Sequence, residues 1–309
     1  MPCLQCQTPT TYLDSAFCEA HFRDMFPRAH AKLQQTDDLI GAIDTPTLVA
    51  AVRRAILEAE ALYEAGSLCY PDETDDANKK VHGAANGFRT RNMKFTPTDP
   101  RPSTALRKFF DVGTVCECHS LIIGVYYKAL LDVLGDFWFD RAFKAMSIAN
   151  GTSYDFGPNP IKGIFESFDV QADLSNVGVG DWIYVVNRAD YKDKHPAGAA
   201  GGWNLICTET GPHKFVGFGL SDKGGTASLT LPDILKILKD YHDMAPTEED
   251  VAMKRRGAGE VDMQGLMRMT GGGGTQARLD TSKPGRRLSA SRLRRYLRAA
   301  STGLKRTVA

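Results

Sequence analysis

GTVCECHSLIIGVYYKALLDVL, from Gly113 to Leu134, decides how this 309-residue chain is read. Gly113 and Thr114 interrupt the preceding helical pattern, and Cys118 falls in the first turn of the next helix. From Leu121 onward apolar residues occupy nearly every face, and a helix that is apolar all round is a central one. The positive end of its dipole would stabilise a thiolate at Cys118. A second reading stays open, in which Cys118 is a small buried hydrophobe; periodicity alone does not separate the two.

With 42% hydrophobic residues the chain can bury a sizeable core. No run approaches the uninterrupted apolar length of a membrane span, and the start, MPCLQCQTPT, lacks the basic and apolar regions of a secretory signal. The expected location is therefore cytoplasmic. Seven cysteines, an odd count in a long chain, point to reduced thiols and metal ligation rather than a disulfide framework. The net charge of +1 conceals an asymmetry: ten Lys or Arg less one Asp from Gln276 onward give +9, leaving −8 for the rest.

The charge and spacing divide the chain into a zinc knuckle over residues 1–30, a main domain over 40–245, a flexible Gly-rich linker over 246–277 and a basic tail over 278–309. In the knuckle, Cys3-x2-Cys6 and Cys18-x2-His21 bracket eleven residues, the spacing by which three thiolates and one imidazole enclose a tetrahedral, structural zinc. Thr45 reads as an N-cap, with Pro46 at the first helical position, and Gly66 as the stop of that helix. Pro71 to Pro102 reads as an extended polar connection, and Ser103 as the cap of a short helix. Phe137, Trp138, Phe139 and Phe143 read as core aromatics. Strand-type runs then start at Trp182, Gly202 and His213, and a helix runs from Leu231 to Met244. Helices first and strands later, without βαβ alternation, predict an α+β fold. In the tail, Leu293 and Leu297 share one side of a basic helix, a pattern suited to an anionic surface, membrane or nucleic acid.

From about Ser103 to Tyr241 the residues resemble the spore-type bacterial protein-glutamine gamma-glutamyltransferases, small transglutaminases with a papain-like α+β core. The pairs Glu117-Cys118, Tyr127-Lys128 and Leu131-Asp132, the run Phe139-Asp140-Arg141, then Gly180-Asp181 and Asn187, match that family in order and spacing. The resemblance implies a transferase whose central helix begins at the nucleophile Cys118 and packs on an antiparallel sheet. It implies no catalytic cofactor, and protein substrates bearing Gln and Lys. Two positions depart. The family's catalytic Glu before Asn is Trp203 before Asn204, and its His between glycines is Phe218 between Gly217 and Gly219.

Acyl transfer from glutamine needs a thiolate, donors for the oxyanion, an acid for departing ammonia and a base for the incoming amine. Cys118 with its own N–H, and Glu117 as acid or base, would supply part of this. For the missing base the candidates are His119, His195, Glu209 and His213, with His195 preferred among residues beside the strands. Asn204 would orient a base or bind the substrate amide, and Trp203 would line the acyl channel or fill core. The rival outcomes are a glutamine deamidase or other cysteine hydrolase, and a binding module that has lost its base.

Overall fold

The computed structural model describes residues 20, 23–24, 27–91, 94–111, 113–149, 160–220, 228–258 and 276–308. Cys3, Cys6, Cys18 and His21, and the glycine run 271–274, lie outside the described residues.

Two helices lead in, α1 (Pro27–Ala42) and α2 (Thr45–Glu64). Asp44 caps α2, not Thr45: its carboxylate accepts the Thr47 N–H at 2.8 Å, one of the donors a helix start leaves without a partner. Leu48, Val52, Ile56 and Ala59 form the buried stripe of α2.

Strand β1 (Leu68–Cys69) precedes the polar connection, which carries α3 (Ala77–His82), β2 (Phe88–Arg91) and β3 (Lys94–Pro97) rather than plain loop, and α4 (Pro102–Phe109) and β4 (Thr114–Val115) follow it. Ser103 lies inside α4 and does not cap it; its N–H donates to Asp140 Oδ1 at 2.7 Å. Strands β1 and β4 pair in parallel, Leu68 with Thr114 and Cys69 with Val115. That pairing brings the residue after β1, Tyr70, alongside the segment entering the central helix.

That helix is α5 (Cys118–Ala142), broken at Gly135, whose φ of +67° a side chain would disfavour. By length and composition α5 does qualify as a membrane span, contrary to the sequence expectation; 72% of its apolar window is buried within the fold, and a core helix gives the same pattern. Phe139 and Phe143 are core as expected, but Phe137 is 52% exposed.

Next come β5 (Ile148–Ala149), β6 (Phe165–Phe168), β7 (Trp182–Val186), α6 (Tyr191–Lys194), β8 (Gly202–Thr210), β9 (His213–Val216), β10 (Leu229–Thr230) and α7 (Leu231–Asp243). They are followed by α8 (Glu248–Ala258), β11 (Arg278–Leu279), β12 (Gly285–Leu288) and α9 (Ala290–Val308). The main sheet is antiparallel, ordered β10-β9-β8-β7-β12-β6 with β11 also on β7. Period-two alternation sends Trp182, Ile206 and Val216 to the helices α2 and α5, and Ile183, Val185, Leu205 and Phe215 to α7. Both faces are covered, which is why these strands read as continuous apolar runs. The fold is α+β, as the order of elements predicts.

The C-terminal boundaries differ from the sequence reading. Part of the expected linker is helix α8, fastened to the core by Asp250, which is 1% exposed. The expected tail supplies two strands and a packed helix, with Leu293 and Leu297 in the core. The apolar stripe of the basic helix is thus occupied by the chain itself.

Candidate active site

Cys118 is the first residue of α5, and Glu117 precedes it in extended conformation (φ −78°, ψ 161°). The first N–H groups of a helix have no intrahelical acceptor and face outward as donors. Cys118 is half-buried and touches both hydrophobic clusters, at the place where they meet.

The sheet presents Asn204 to the sulfur. Tyr184 lies opposite Asn204 across β7 and β8, which makes Trp182 its diagonal neighbour on the same face. The Trp182 indole N–H donates to Asn204 Oδ1 at 2.9 Å, and Asn204 Nδ2 donates to Cys118 Sγ at 3.1 Å. Tyr70 faces the sulfur with its hydroxyl from the β1 side. The same hydroxyl donates to Phe218 O at 2.8 Å, and that carbonyl also accepts the Trp203 indole N–H at 3.1 Å. Phe218 stacks on Tyr70 with ring centroids 4.5 Å apart. Trp203 and Phe218, where the resemblance leads one to expect a carboxylate and an imidazole, therefore hold Tyr70 in place. Trp203 itself is 6% exposed, 5.6 Å from the Tyr241 ring, and fills core.

Burial pushes the Cys118 thiol above its usual range; the Asn204 amide and Tyr70 hydroxyl pull the other way, and Glu117 adds to the rise. Burial also raises the Glu117 carboxyl, with Lys192 opposing. Among the described residues, the groups meeting the sulfur are an amide and a phenol, neither of them a base at neutral pH.

The sequence candidates for a base are engaged elsewhere. His195 is not brought to the thiol: Nδ1 lies 3.3 Å from Asp250 Oδ2 and Nε2 lies 3.1 Å from His242 O, so both ring nitrogens face acceptors. It ties the α6 turn to α7 and α8. His213 Nε2 meets Val177 O at 2.9 Å, and Glu209 pairs with Lys214 at 3.1 Å. His119 lies tilted against the Trp182 ring with centroids 5.2 Å apart, and burial, with Arg286 and Lys283 adding, pushes it down to about 4. Asn187, matched in the resemblance, is fully buried and bolts Ala200 O and Leu238 O at 2.8 and 2.9 Å.

Tyr70 escaped the sequence reading. Its one signal is the Pro71 after it, which favours extended backbone, and nothing in that marks a site residue. Cys69, Cys116, Cys118 and Cys207 are all unpaired thiols. Among the described residues no group of three or more His, Cys, Asp or Glu is arranged to hold a metal.

No family model matches the chain, and no curated protein matches it. Among solved structures it is similar to the transglutaminase from Geobacillus stearothermophilus, without its C-terminal extension. That likeness has 16% identity and a TM-score of 0.48, over 84% of this chain and 97% of that one.

Proposed function

We propose that the chain is a transglutaminase-like cysteine acyltransferase that joins a protein glutamine to a lysine amine. The reading is carried by one observation, the Asn204 amide directed at a cysteine on the first turn of a buried central helix. Cys118 Sγ attacks the glutamine carboxamide carbon, and the developing oxyanion is held by the helix-start N–H groups. The carbon–nitrogen bond then breaks, leaving a thioester. The thiol proton leaves with ammonia, relayed by Glu117, whose raised pKa suits a group that must carry a proton. A lysine amine displaces the thiol, gives up its proton to it, and completes the isopeptide bond. Asn204 stabilises the sulfur as it gains charge, and the Tyr70 hydroxyl, whose one proton rests on Phe218 O, turns to the sulfur to support it from the other side.

Cys3, Cys6, Cys18 and His21 are proposed to hold a structural zinc; three thiolates and an imidazole are the donor set that closes a tetrahedral site. Zinc stoichiometry near one, lost on Cys6→Ser substitution, would support this.

A second reading, a binding module, is favoured by the raised thiol pKa and by the aromatic residues at the two departing positions. Incorporation of a labelled primary amine into a glutamine-rich acceptor, with Cys118→Ala as control, decides between them. Incorporation by the parent chain alone supports the acyltransferase. Ammonia release without incorporation indicates a deamidase. Neither, with Cys118 inert to alkylation near neutral pH, leaves the binding module.

A further inference from the structure

Cys116 is a nucleophile that the acyl-transfer scheme does not use. It is an unpaired thiol, 0% exposed, and one residue separates it from Cys118. Its backbone is fastened: the N–H donates to Cys69 O at 3.1 Å, which carries the parallel pairing of β1 and β4 one residue further.

The register decides where its sulfur goes. Residues opposite one another in a parallel pair share a face of the sheet, and successive residues alternate. Cys69 lies opposite Val115, so Cys116 falls opposite Tyr70 and on the Tyr70 side, away from the Cys69 side chain. Tyr70 is extended there (φ −75°, ψ 157°), and its hydroxyl faces the Cys118 sulfur. Glu117 is extended as well. Two residues of extended chain span at most about 7 Å, close to the Cα separation that a disulfide bridges. Cys116 and Cys118 are near enough for charge on either sulfur to act on the other and on Tyr70. Cys207 is turned to the opposite face of the main sheet, where its thiol donates to Glu209 O at 3.2 Å.

We infer that Cys116 and Cys118 are a redox pair, in which a hydroperoxide oxidises Cys118 and Cys116 closes a disulfide onto it. The Cys118 thiolate attacks one peroxide oxygen; the S–O bond forms and the O–O bond breaks. The departing oxygen takes up the thiol proton and leaves as an alcohol, or as water when the oxidant is hydrogen peroxide. Cys118 is then a sulfenic acid. The Cys116 sulfur attacks it, the S–S bond forms, the S–O bond breaks, and the leaving hydroxide takes the Cys116 proton to become water. The two thiols together lose two electrons, and one peroxide gains them. Burial pushes both thiols up, so the reaction runs through a minor thiolate population and is followed over minutes to hours. The bridge occupies the sulfur that Asn204 meets and keeps it from higher, irreversible oxidation. The inference does not rest on acyl transfer, since it needs only the two thiols and their placement.

To test it, the full chain is exposed to hydrogen peroxide in modest excess, blocked with iodoacetamide, digested after Lys and Arg, and mapped by mass spectrometry. The peptide Phe109–Lys128 should become lighter by two hydrogens, carry no alkyl group, and accept two after reduction with dithiothreitol. Cys116→Ala cannot close the bridge. Its Cys118 should pass to sulfinic and sulfonic acids about tenfold faster than in the parent chain, and dithiothreitol should not recover that fraction. Cys69→Ala should leave the bridge intact. Melting curves show that each variant is folded; if Cys116→Ala does not fold, the parent peptide and Cys69→Ala decide. Three results overturn the pair: Cys118 over-oxidised in the parent as fast as in Cys116→Ala, a bridge from Cys118 to any other cysteine, or a peptide that peroxide leaves unchanged. Amine incorporation is measured separately. A bridge formed in a chain without transferase activity upholds the pair and removes only the acyl-transfer reading.

Discussion

Asn204 Nδ2 donates to Cys118 Sγ at 3.1 Å, and the orientation of that amide is fixed by Trp182. An indole nitrogen only donates, so the atom facing it must be Oδ1, and the NH₂ group is left to face the sulfur. A donor aimed at sulfur favours thiolate over thiol. Burial opposes it and prevails, so the resting thiol is held above its usual range. In this reading the sulfur receives help from donors and from the helix start, while among the described residues no base is hydrogen-bonded to it.

Asn204→Ala should therefore raise the Cys118 thiol further and slow its alkylation at pH 7–8 by about tenfold, one pKa unit being tenfold in thiolate. Trp182→Phe should act in the same direction and less strongly. The pH dependence of iodoacetamide labelling, read by mass spectrometry so that Cys118 is separated from Cys69, Cys116 and Cys207, checks both. An unchanged profile in Asn204→Ala would remove the amide from the account.

Tyr70→Phe keeps the ring stacked on Phe218 and deletes the hydroxyl. Phe218 O retains the Trp203 N–H, so stability should fall by only about 1 kcal/mol. Amine incorporation should fall far more than that, and a loss of stability without any loss of rate would make Tyr70 a purely structural residue. Thermal melting and single-turnover rates give the two numbers.

Glu60 is 1% exposed on α2, and burial, with Glu64 adding and the Gly219 N–H opposing, pushes it up to about 8. Its folded pKa lies above the ordinary 4.5, so the folded state holds a proton that the unfolded state releases. Stability from this group is full below about pH 4.5 and declines as pH rises towards about 8. Glu60→Gln, which mimics the protonated acid, should change little at pH 4.5 and stabilise by about 2–4 kcal/mol at pH 8. Denaturant melts at the two pH values test it; equal effects at both would contradict the sign.

Leu293→Ala should destabilise by about 2–4 kcal/mol, the cost of emptying a fully buried leucine site. A dispensable, solvated tail would show no change. Removal of residues 276–309 should go further and abolish cooperative unfolding, because β12 bridges β7 and β6.

How much of this was legible follows the range of the interactions. Cys118 at a helix start was legible from Gly113, Thr114 and the apolar run, because helix boundaries and amphipathicity are set by neighbours a few residues apart. The strands at Trp182, Gly202 and His213 were legible for the same reason. The caps read at Thr45 and Ser103 were misplaced by a residue or two, the structure having them at Asp44 and Arg101, since boundary positions at a helix start are not fixed by one residue type. The tail was misread because its composition is basic, while its four buried leucines, Leu279, Leu288, Leu293 and Leu297, were enough to join the core.

The sequence by itself determined the α+β order of elements, the central helix and the cysteine at its mouth, together with the two departures at Trp203 and Phe218. Only the tertiary structure decided what meets that cysteine. Tyr70 and Asn204 lie 48 and 86 residues from it along the chain, and they arrive through strand pairing, β1 on β4 and β7 on β8. Pairing partners and register depend on burial and twist across the whole fold, and no local pattern around residue 118 encodes them.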